Sequence, residues 1–237
     1  MPQHTIKRYD DELNELKERI LSMGALVERA IRRSMKALNK FDTERARKVI
    51  DRDRAINALE VEIDDMTRSI LALRQPAAGD LRFIISTIKI VTDLERCGDL
   101  AEGIAKAVVQ NQERPLTNLD SMNSLSDAVC QQISAALDAF ARGDVGAALT
   151  CIEGDQKVDK LFKALQRENL SYMIEDPRLI TVGLASFNVG RNLERIGDHA
   201  VNIAEMVVYM VKGHDIRHVD HDTAAALISG KMVDNDD

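Results

Sequence analysis

Residues 94–99 read Leu-Glu-Arg-Cys-Gly-Asp, and the pattern returns 99 positions later as Leu-Glu-Arg-Ile-Gly-Asp at residues 193–198. The match extends beyond this motif, at offsets of 99 to 102 positions. The other matched pairs are Ala37 with Ala136, Leu38 with Leu137, Phe41 with Phe140, Asp42 with Asp144, Ala46 with Ala148, Ile50 with Ile152, Asp53 with Asp155, Ile56 with Val158, Leu59 with Leu161 and Pro76 with Pro177. Because so many matches in one order rarely arise by chance, the chain contains an internal duplication.

In each half, three segments carry apolar residues at every third or fourth position, which is the period of an amphipathic helix. Asp42 and Asp80 precede two of these segments in the first half, where a carboxylate can cap a helix. Pro76 ends the segment between them, because the residue before a proline disfavours helical backbone. Gly143 and Gly213 stand where helices of the second half would end. The helices predicted for the second half cover residues 121–142, 144–174 and 178–212.

The predicted fold class is all-α, with six long helices arranged as two tandem, sequence-related up-down-up three-helix bundles. Short connections make neighbouring helices antiparallel, which gives each bundle its up-down-up order. We assign the first bundle to residues 1–115 and the second to residues 116–213. Residues 214–237 form a polar tail that we expect to be poorly ordered, apart from a short helix around residues 224–228.

Charge and composition exclude several classes of protein. The net charge of -7 at pH 7 argues against nucleic acid as the main partner, because non-specific binding to phosphate backbones needs a basic surface. Cys97, Cys130 and Cys151 have no paired spacing, which favours a reducing cytoplasm over a disulfide framework. No stretch approaches the roughly 20 apolar residues that cross a bilayer. We therefore expect membrane contact only peripherally, through partners.

The repeated motif places two carboxylates on one face of each third helix, because residues four apart on a helix are neighbours. The two pairs are Glu95 with Asp99 and Glu194 with Asp198. Helical rotation turns both pairs towards the apolar packing side. Glu102 is expected to extend the first pair, and Asn202 and Glu205 the second.

The second helix of each half carries a matching pair at core spacing, Asp53 with Asn57 and Asp155 with Asp159. Facing carboxylates repel each other unless a proton or a cation lies between them. A metal ion relieves this repulsion, and oxygen ligands favour magnesium, manganese or iron. The pattern therefore predicts metal binding between the second and third helices.

Other interpretations of these residues stay open. Arg96 and Arg195 follow the two motif glutamates, so the acids could simply pair with arginine in a purely structural bundle. Gly98 and Gly197 each lower helix propensity by about 1 kcal/mol relative to alanine, which indicates either a close helix–helix approach or room for an ion. His199 has no counterpart in the first half, and we expect it to be structural or solvent-facing.

The two motifs, read over residues 93–99 and 192–200, resemble the signature of the PhoU family. Residues 74–82, which contain Arg-Gln-Pro and Asp-Leu-Arg, also resemble that family. The resemblance covers residues 9–212, nearly the whole chain, in the right length and repeat order.

The resemblance implies a cytoplasmic regulator that links a phosphate ABC transporter, through its ATPase subunit, to a sensor histidine kinase and represses the phosphate-starvation response. It also implies two three-helix bundles, a homodimer and multinuclear metal clusters, with iron, zinc, manganese or magnesium as the ion. The metal-binding residues that it implies are Glu95, Asp99, Glu194, Asp198, Asp155, Asp159 and Asp53. Because the neutral Asn57 replaces an acid, we expect the first site to bind metal less firmly than the second.

A signalling adaptor without catalytic turnover is the leading hypothesis. The alternative is a carboxylate-ligated metal-binding protein or metalloenzyme. Di-iron bundles use a Glu-x-x-His motif, whereas Glu194 and His199 are five positions apart. The sequence therefore favours a protein that is not an enzyme.

Overall fold

The computed structural model describes residues 2–217, with side chains from residue 7 onwards. The helices are α1 (Pro2–Lys40), α2 (Thr43–Arg74), α3 (Ala78–Gln110), α4 (Leu119–Arg142), α5 (Val145–Glu175), a short 3-10 helix (Pro177–Leu179) and α6 (Ile180–Lys212). No strand occurs within these described residues. The prediction of an all-α chain with six long helices is confirmed.

Most of the predicted helix boundaries follow from local backbone chemistry. The Asp42 carboxylate accepts a hydrogen bond from the Arg45 backbone N–H at 2.8 Å, as an N-cap of α2 should. Gly143 and Gly213 end α4 and α6 with φ of 61° and 80°, a left-handed conformation that suits glycine.

The predicted cap at Asp80 is wrong. Helix α3 begins at Ala78, because the Ala77 carbonyl already accepts the Asp80 backbone N–H at 3.2 Å. Asp80 therefore lies inside the first turn. Its carboxylate accepts a hydrogen bond from the Tyr9 hydroxyl of α1 at 3.1 Å.

Helices α1–α3 form an N-terminal bundle and α4–α6 form a C-terminal bundle, each around a buried apolar core. The bundles join where α3 packs against α6 and α1 packs against α4. The loop at residues 111–118 connects them and contains the predicted boundary at residue 115. The prediction of two tandem three-helix bundles is confirmed.

Helices α3 and α6 run antiparallel, and the two repeated motifs lie at the middle of their interface. Asp93 of α3 contacts His199 of α6, with its carboxylate oxygen 2.8 Å from the imidazole Nδ1. Beyond the other end of the first motif, α3 and α6 again lie close together. A Cβ at Gly103 would lie 2.8 Å from the Asn192 side-chain nitrogen. His199 is thus a structural residue of the interface, with only 17% of its side chain exposed.

The expectation that Asn202 and Glu205 extend the second acidic pair is wrong. The Asn202 amide donates a hydrogen bond to the Asp93 carboxylate at 3.1 Å. Glu205 lines a cavity with Asp93 and Arg217. Both side chains therefore lie beside residues of α3.

Burial raises the pKa of Glu205 to about 7, with Asp215 and Asp93 adding to the effect and Arg217 opposing it. We expect Glu205→Gln to stabilise the protein at pH 8 and to change little at pH 5. The folded-state pKa exceeds the ordinary value of 4.5, so ionisation of the wild-type carboxyl lowers stability as the pH rises between these two values. Glutamine stays neutral throughout.

Because Glu205 is half-buried, water screens part of this effect, and the expected gain at pH 8 is about 1–2 kcal/mol. Urea unfolding of both proteins at pH 5 and pH 8 checks it. The same stability difference at both pH values would contradict the assignment to Glu205 ionisation.

The first residues of the predicted tail pack against the bundles. Ile216 is 5% exposed and joins the core, and Arg217 pairs with Asp215. The remaining tail, with the short helix predicted around residues 224–228, lies outside the described residues. None of the helices in the described part of the chain is long and apolar enough to cross a membrane.

Candidate metal centre

Three carboxylates converge between α2 and α3. Asp53, Asp99 and Glu102 each place one oxygen within 4.8 Å of the others. We call these three residues the N-terminal carboxylate cluster. The sequence predicted Asp53 and Asp99 as ligands, and Glu102 extends the same helix face by one further turn.

The Asp53 carboxylate is the most constrained member of this cluster. Its Oδ2 accepts a hydrogen bond from the Asn57 amide at 3.1 Å, while its Oδ1 and the Asn57 Oδ1 are buried without a partner. Burial raises the pKa of Asp53, and the charges of Glu102 and Asp99 raise it further. Since buried polar atoms normally have partners, these oxygens suit a cation or a proton.

Gly98 allows α3 to approach this carboxylate. A Cβ at position 98 would lie 3.0 Å from Ile56 Cδ1 and 3.2 Å from Asp53 Oδ1. At position 197, a Cβ would lie 3.1 Å from both Val158 Cγ1 and Gln132 Oε1. Of the two interpretations of these glycines, the structure shows the close helix–helix approach at both positions.

The C-terminal bundle places four predicted residues on facing sides of α5 and α6. We call them the C-terminal carboxylate cluster, and they are Asp155, Asp159, Glu194 and Asp198. Burial raises the pKa of Glu194, followed by the charges of the other three carboxylates. Burial also raises the pKa of Asp198, and the charge of Asp155 is the next largest cause of the increase. These carboxylates repel one another, but the N-terminal cluster is the one group within the described residues whose three oxygens meet within 4.8 Å.

Gln132 of α4 completes the C-terminal site and was missed from the sequence. Its amide nitrogen donates a hydrogen bond to Asp155 Oδ1 at 3.2 Å. Its Oε1 is buried without a partner. Gln132 is neutral and lies on the first helix of its bundle, so no charge pattern in the sequence marks this role.

Glu95 lies one turn before Asp99 and is not among the three residues whose oxygens meet within 4.8 Å. Burial raises its pKa, and the negative charges of Asp99 and of Glu60 on α2 raise it further. Only 17% of its side chain is exposed, as its predicted direction towards the packing side requires. A line of carboxylates therefore follows α3, facing Asp53 near one end and Glu60 near the other.

Basic side chains pair with several of these acids. Arg96 lies 3.5 Å from Asp99 and 3.6 Å from Glu95, Lys106 pairs with Glu102, and Lys163 lies 2.9 Å from Asp159. Exposed pairs of this kind contribute about 0–1 kcal/mol each. They leave Asp53 Oδ1 unpartnered, so pairing with arginine does not account for the innermost acid. Hard divalent cations prefer such oxygen ligands.

Comparisons with known proteins agree with the repeat. The family model for the PhoU domain matches residues 20–108 and 122–207, one match in each bundle. The chain is 41% identical over 233 residues to the phosphate-specific transport system accessory protein PhoU homolog of Pseudomonas putida, covering 97% of this chain and 91% of that protein.

Two solved structures share the architecture. The crystal structure of PhoU from Pseudomonas aeruginosa superposes with a TM-score of 0.83 at 42% identity, covering 87% of this chain and 100% of that one. The phosphate transport system regulatory protein PhoU from Streptococcus pneumoniae superposes with a TM-score of 0.82 at 32% identity, covering 87% of this chain and 98% of that one.

Proposed function

Because the chain belongs to the PhoU family, we propose that it is an accessory regulatory protein of a phosphate transport system. The observation that carries this proposal is the match of the family domain to both bundles. The names of the Pseudomonas putida and Streptococcus pneumoniae relatives, which describe transport accessory and regulatory proteins, support it.

We propose further that the protein works in the cytoplasm as an adaptor without catalytic turnover. It would connect the ATPase subunit of a phosphate ABC transporter to a sensor histidine kinase and hold the phosphate-starvation response off. A homodimer is the proposed assembly. The position of His199 supports a non-catalytic role, because its imidazole contacts Asp93 on the α3-facing side of α6.

The two carboxylate clusters are proposed to hold divalent or transition metal ions, with iron, zinc, manganese and magnesium as candidates. Asp53, Asp99 and Glu102 would bind an ion in the N-terminal bundle, with Glu95 beside them. The C-terminal carboxylate cluster would bind the second. The unpartnered Asp53 Oδ1 supports this proposal. A bound ion would neutralise mutually repelling carboxylates and fix the second helix of each bundle against the third.

Co-purification tests the adaptor proposal. We expect tagged full-length protein to retain the transporter ATPase subunit and the sensor kinase from cells grown in high phosphate, and to retain less kinase after phosphate starvation. The tag alone is the control. Absence of both partners under both growth conditions would contradict the adaptor role.

A further inference from the structure

We propose that Arg29, Arg33 and Arg52 form a binding site for a phosphoryl group in the N-terminal bundle. The three arginines line a cavity of about 330 Å³ between α1, α2 and α3. Leu26, Val49 and Ile56 supply apolar walls. This volume lies at the lower end of the range for small-molecule sites.

The three guanidinium groups have no acidic partner. Within residues 7–217, no carboxylate oxygen lies within 4.0 Å of any of them. By contrast, Arg32 lies 4.0 Å from Glu28 and Arg45 lies 3.2 Å from Asp42. The trio is therefore a concentration of positive charge without a direct ion pair, and it shares its cavity with Asp53 and Glu102.

These positive charges also repel one another. Burial lowers the pKa of Arg33, and the charges of Arg52, Arg29 and Arg45 lower it further. Convergent guanidinium groups are unfavourable in the free protein and become favourable when an anion binds between them.

The duplication shows that the fold does not need these arginines. At the repeat offsets, Arg29 and Arg33 of α1 correspond to Ala128 and Gln132 of α4. Arg52 of α2 corresponds to Gly154 of α5. The C-terminal bundle has the same architecture without any of the three charges, so we assign them to a ligand instead of to folding.

Guanidinium chemistry identifies the class of ligand. Arginine donates two parallel N–H groups to a tetrahedral oxyanion or a carboxylate, and several converging arginines favour the higher charge of a phosphoryl group. Asp53 and Glu102 form another wall of the cavity. Lys106 pairs with Glu102, whereas the charge of Asp53 opposes an anion until a cation neutralises it. We therefore expect magnesium to strengthen phosphoryl binding, and phosphate to strengthen magnesium binding by the same factor.

The ligand could be inorganic phosphate or a small phosphomonoester, and titration calorimetry distinguishes them. Purified full-length protein is titrated with phosphate or with glycerol phosphate at constant ionic strength, once with a chelator and once with magnesium. The variant Arg29→Ala/Arg33→Gln/Arg52→Ala removes all three charges. At positions 29 and 33 it carries the residues that stand at the corresponding positions of the C-terminal bundle, Ala128 and Gln132. We expect it to bind either ligand at least roughly 100-fold more weakly.

The matched control is Arg47→Ala/Arg54→Ala/Arg68→Ala, which removes three charges from α2 outside the cavity. We expect its affinity to stay within about threefold of wild type, since charges outside the cavity act on a bound anion only at long range. Circular dichroism verifies folding. If the triple cavity variant does not fold, Arg33→Lys keeps the charge but loses the paired donors, and should bind roughly tenfold more weakly.

Tighter binding of glycerol phosphate than of phosphate, with the same dependence on the arginines, would support the site and identify an organic ligand. Binding that appears only with magnesium but disappears in the cavity variant would also support it. No binding by wild type, or equal loss in the control variant, would overturn the proposal. So would binding that survives in the cavity variant. This site can fail while partner co-purification succeeds, so the two proposals are tested separately.

Discussion

Replacing Phe140 with alanine will lower the free energy of unfolding by about 3–5 kcal/mol. Phe140 of α4 is 1% exposed and stacks on Phe83 of α3, with ring centroids 6.2 Å apart and planes 11° apart. The substitution removes a large buried ring and leaves a cavity that rigid helices cannot close. Because the two rings belong to different bundles, the loss should also weaken the joint between them.

Urea unfolding followed by circular dichroism measures this effect. Leu170→Ala is the control, because Leu170 is 55% exposed and its replacement should change stability by no more than about 0.5 kcal/mol. If the joint weakens enough for the bundles to unfold separately, Phe140→Ala will show two transitions. A loss below about 1 kcal/mol would contradict the role assigned to this stacked pair.

The fold can be predicted from the sequence because the signals that specify it are local or repeated. The duplicated motif identified two equivalent halves, and apolar periodicity identified the helices. Asp42 was predicted correctly because the backbone N–H of Arg45, three residues later, completes its cap. Asp80 was not, since the chain turned helical two residues earlier at Ala78, and no side chain marks that start.

The candidate site was predicted in part for a related reason. The spacing of Glu95 and Asp99 along one helix correctly predicts that both side chains face the packing side. Spacing does not give the rotation of one bundle against the other, so Asn202 was assigned to the acidic pair although it contacts Asp93 of α3. Gln132 and the three cavity arginines were missed because they belong to the first helix of each bundle, or to a face defined only by packing.

Removing two acids from either carboxylate cluster should lower the metal content of the protein. Asp53→Ala/Asp99→Ala should weaken binding in the N-terminal bundle by about 100-fold or more, and Glu194→Ala/Asp198→Ala should do the same in the C-terminal bundle, because each change removes two proposed ligands. Each variant purified without chelator should lose one site's share of metal, and their combination should lose nearly all of it.

Measurement can also show which of the two carboxylate clusters binds metal more tightly. Asn57 in place of an acid predicts firmer binding at Glu194 and Asp198, whereas the three oxygens that meet within 4.8 Å belong to Asp53, Asp99 and Glu102. Manganese titration of the two variants separates these expectations, because each variant keeps one intact cluster.

Protons should compete with metal at these clusters. The pKa values of Asp53, Glu194 and Asp198 are raised, so in the metal-free protein these carboxyls take up protons sooner as the pH falls, and affinity should fall with them. The control Glu44→Ala/Asp51→Ala removes two exposed acids from α2 and should leave metal content unchanged.

If wild type binds no metal, or if both cluster variants keep the full amount, the acids serve structure alone. The unpartnered Asp53 Oδ1 would then have to be satisfied by a proton, and Asp53→Asn would leave stability near neutral pH unchanged or higher, whereas in a metal-binding protein that variant would lose the stability that the ion contributes.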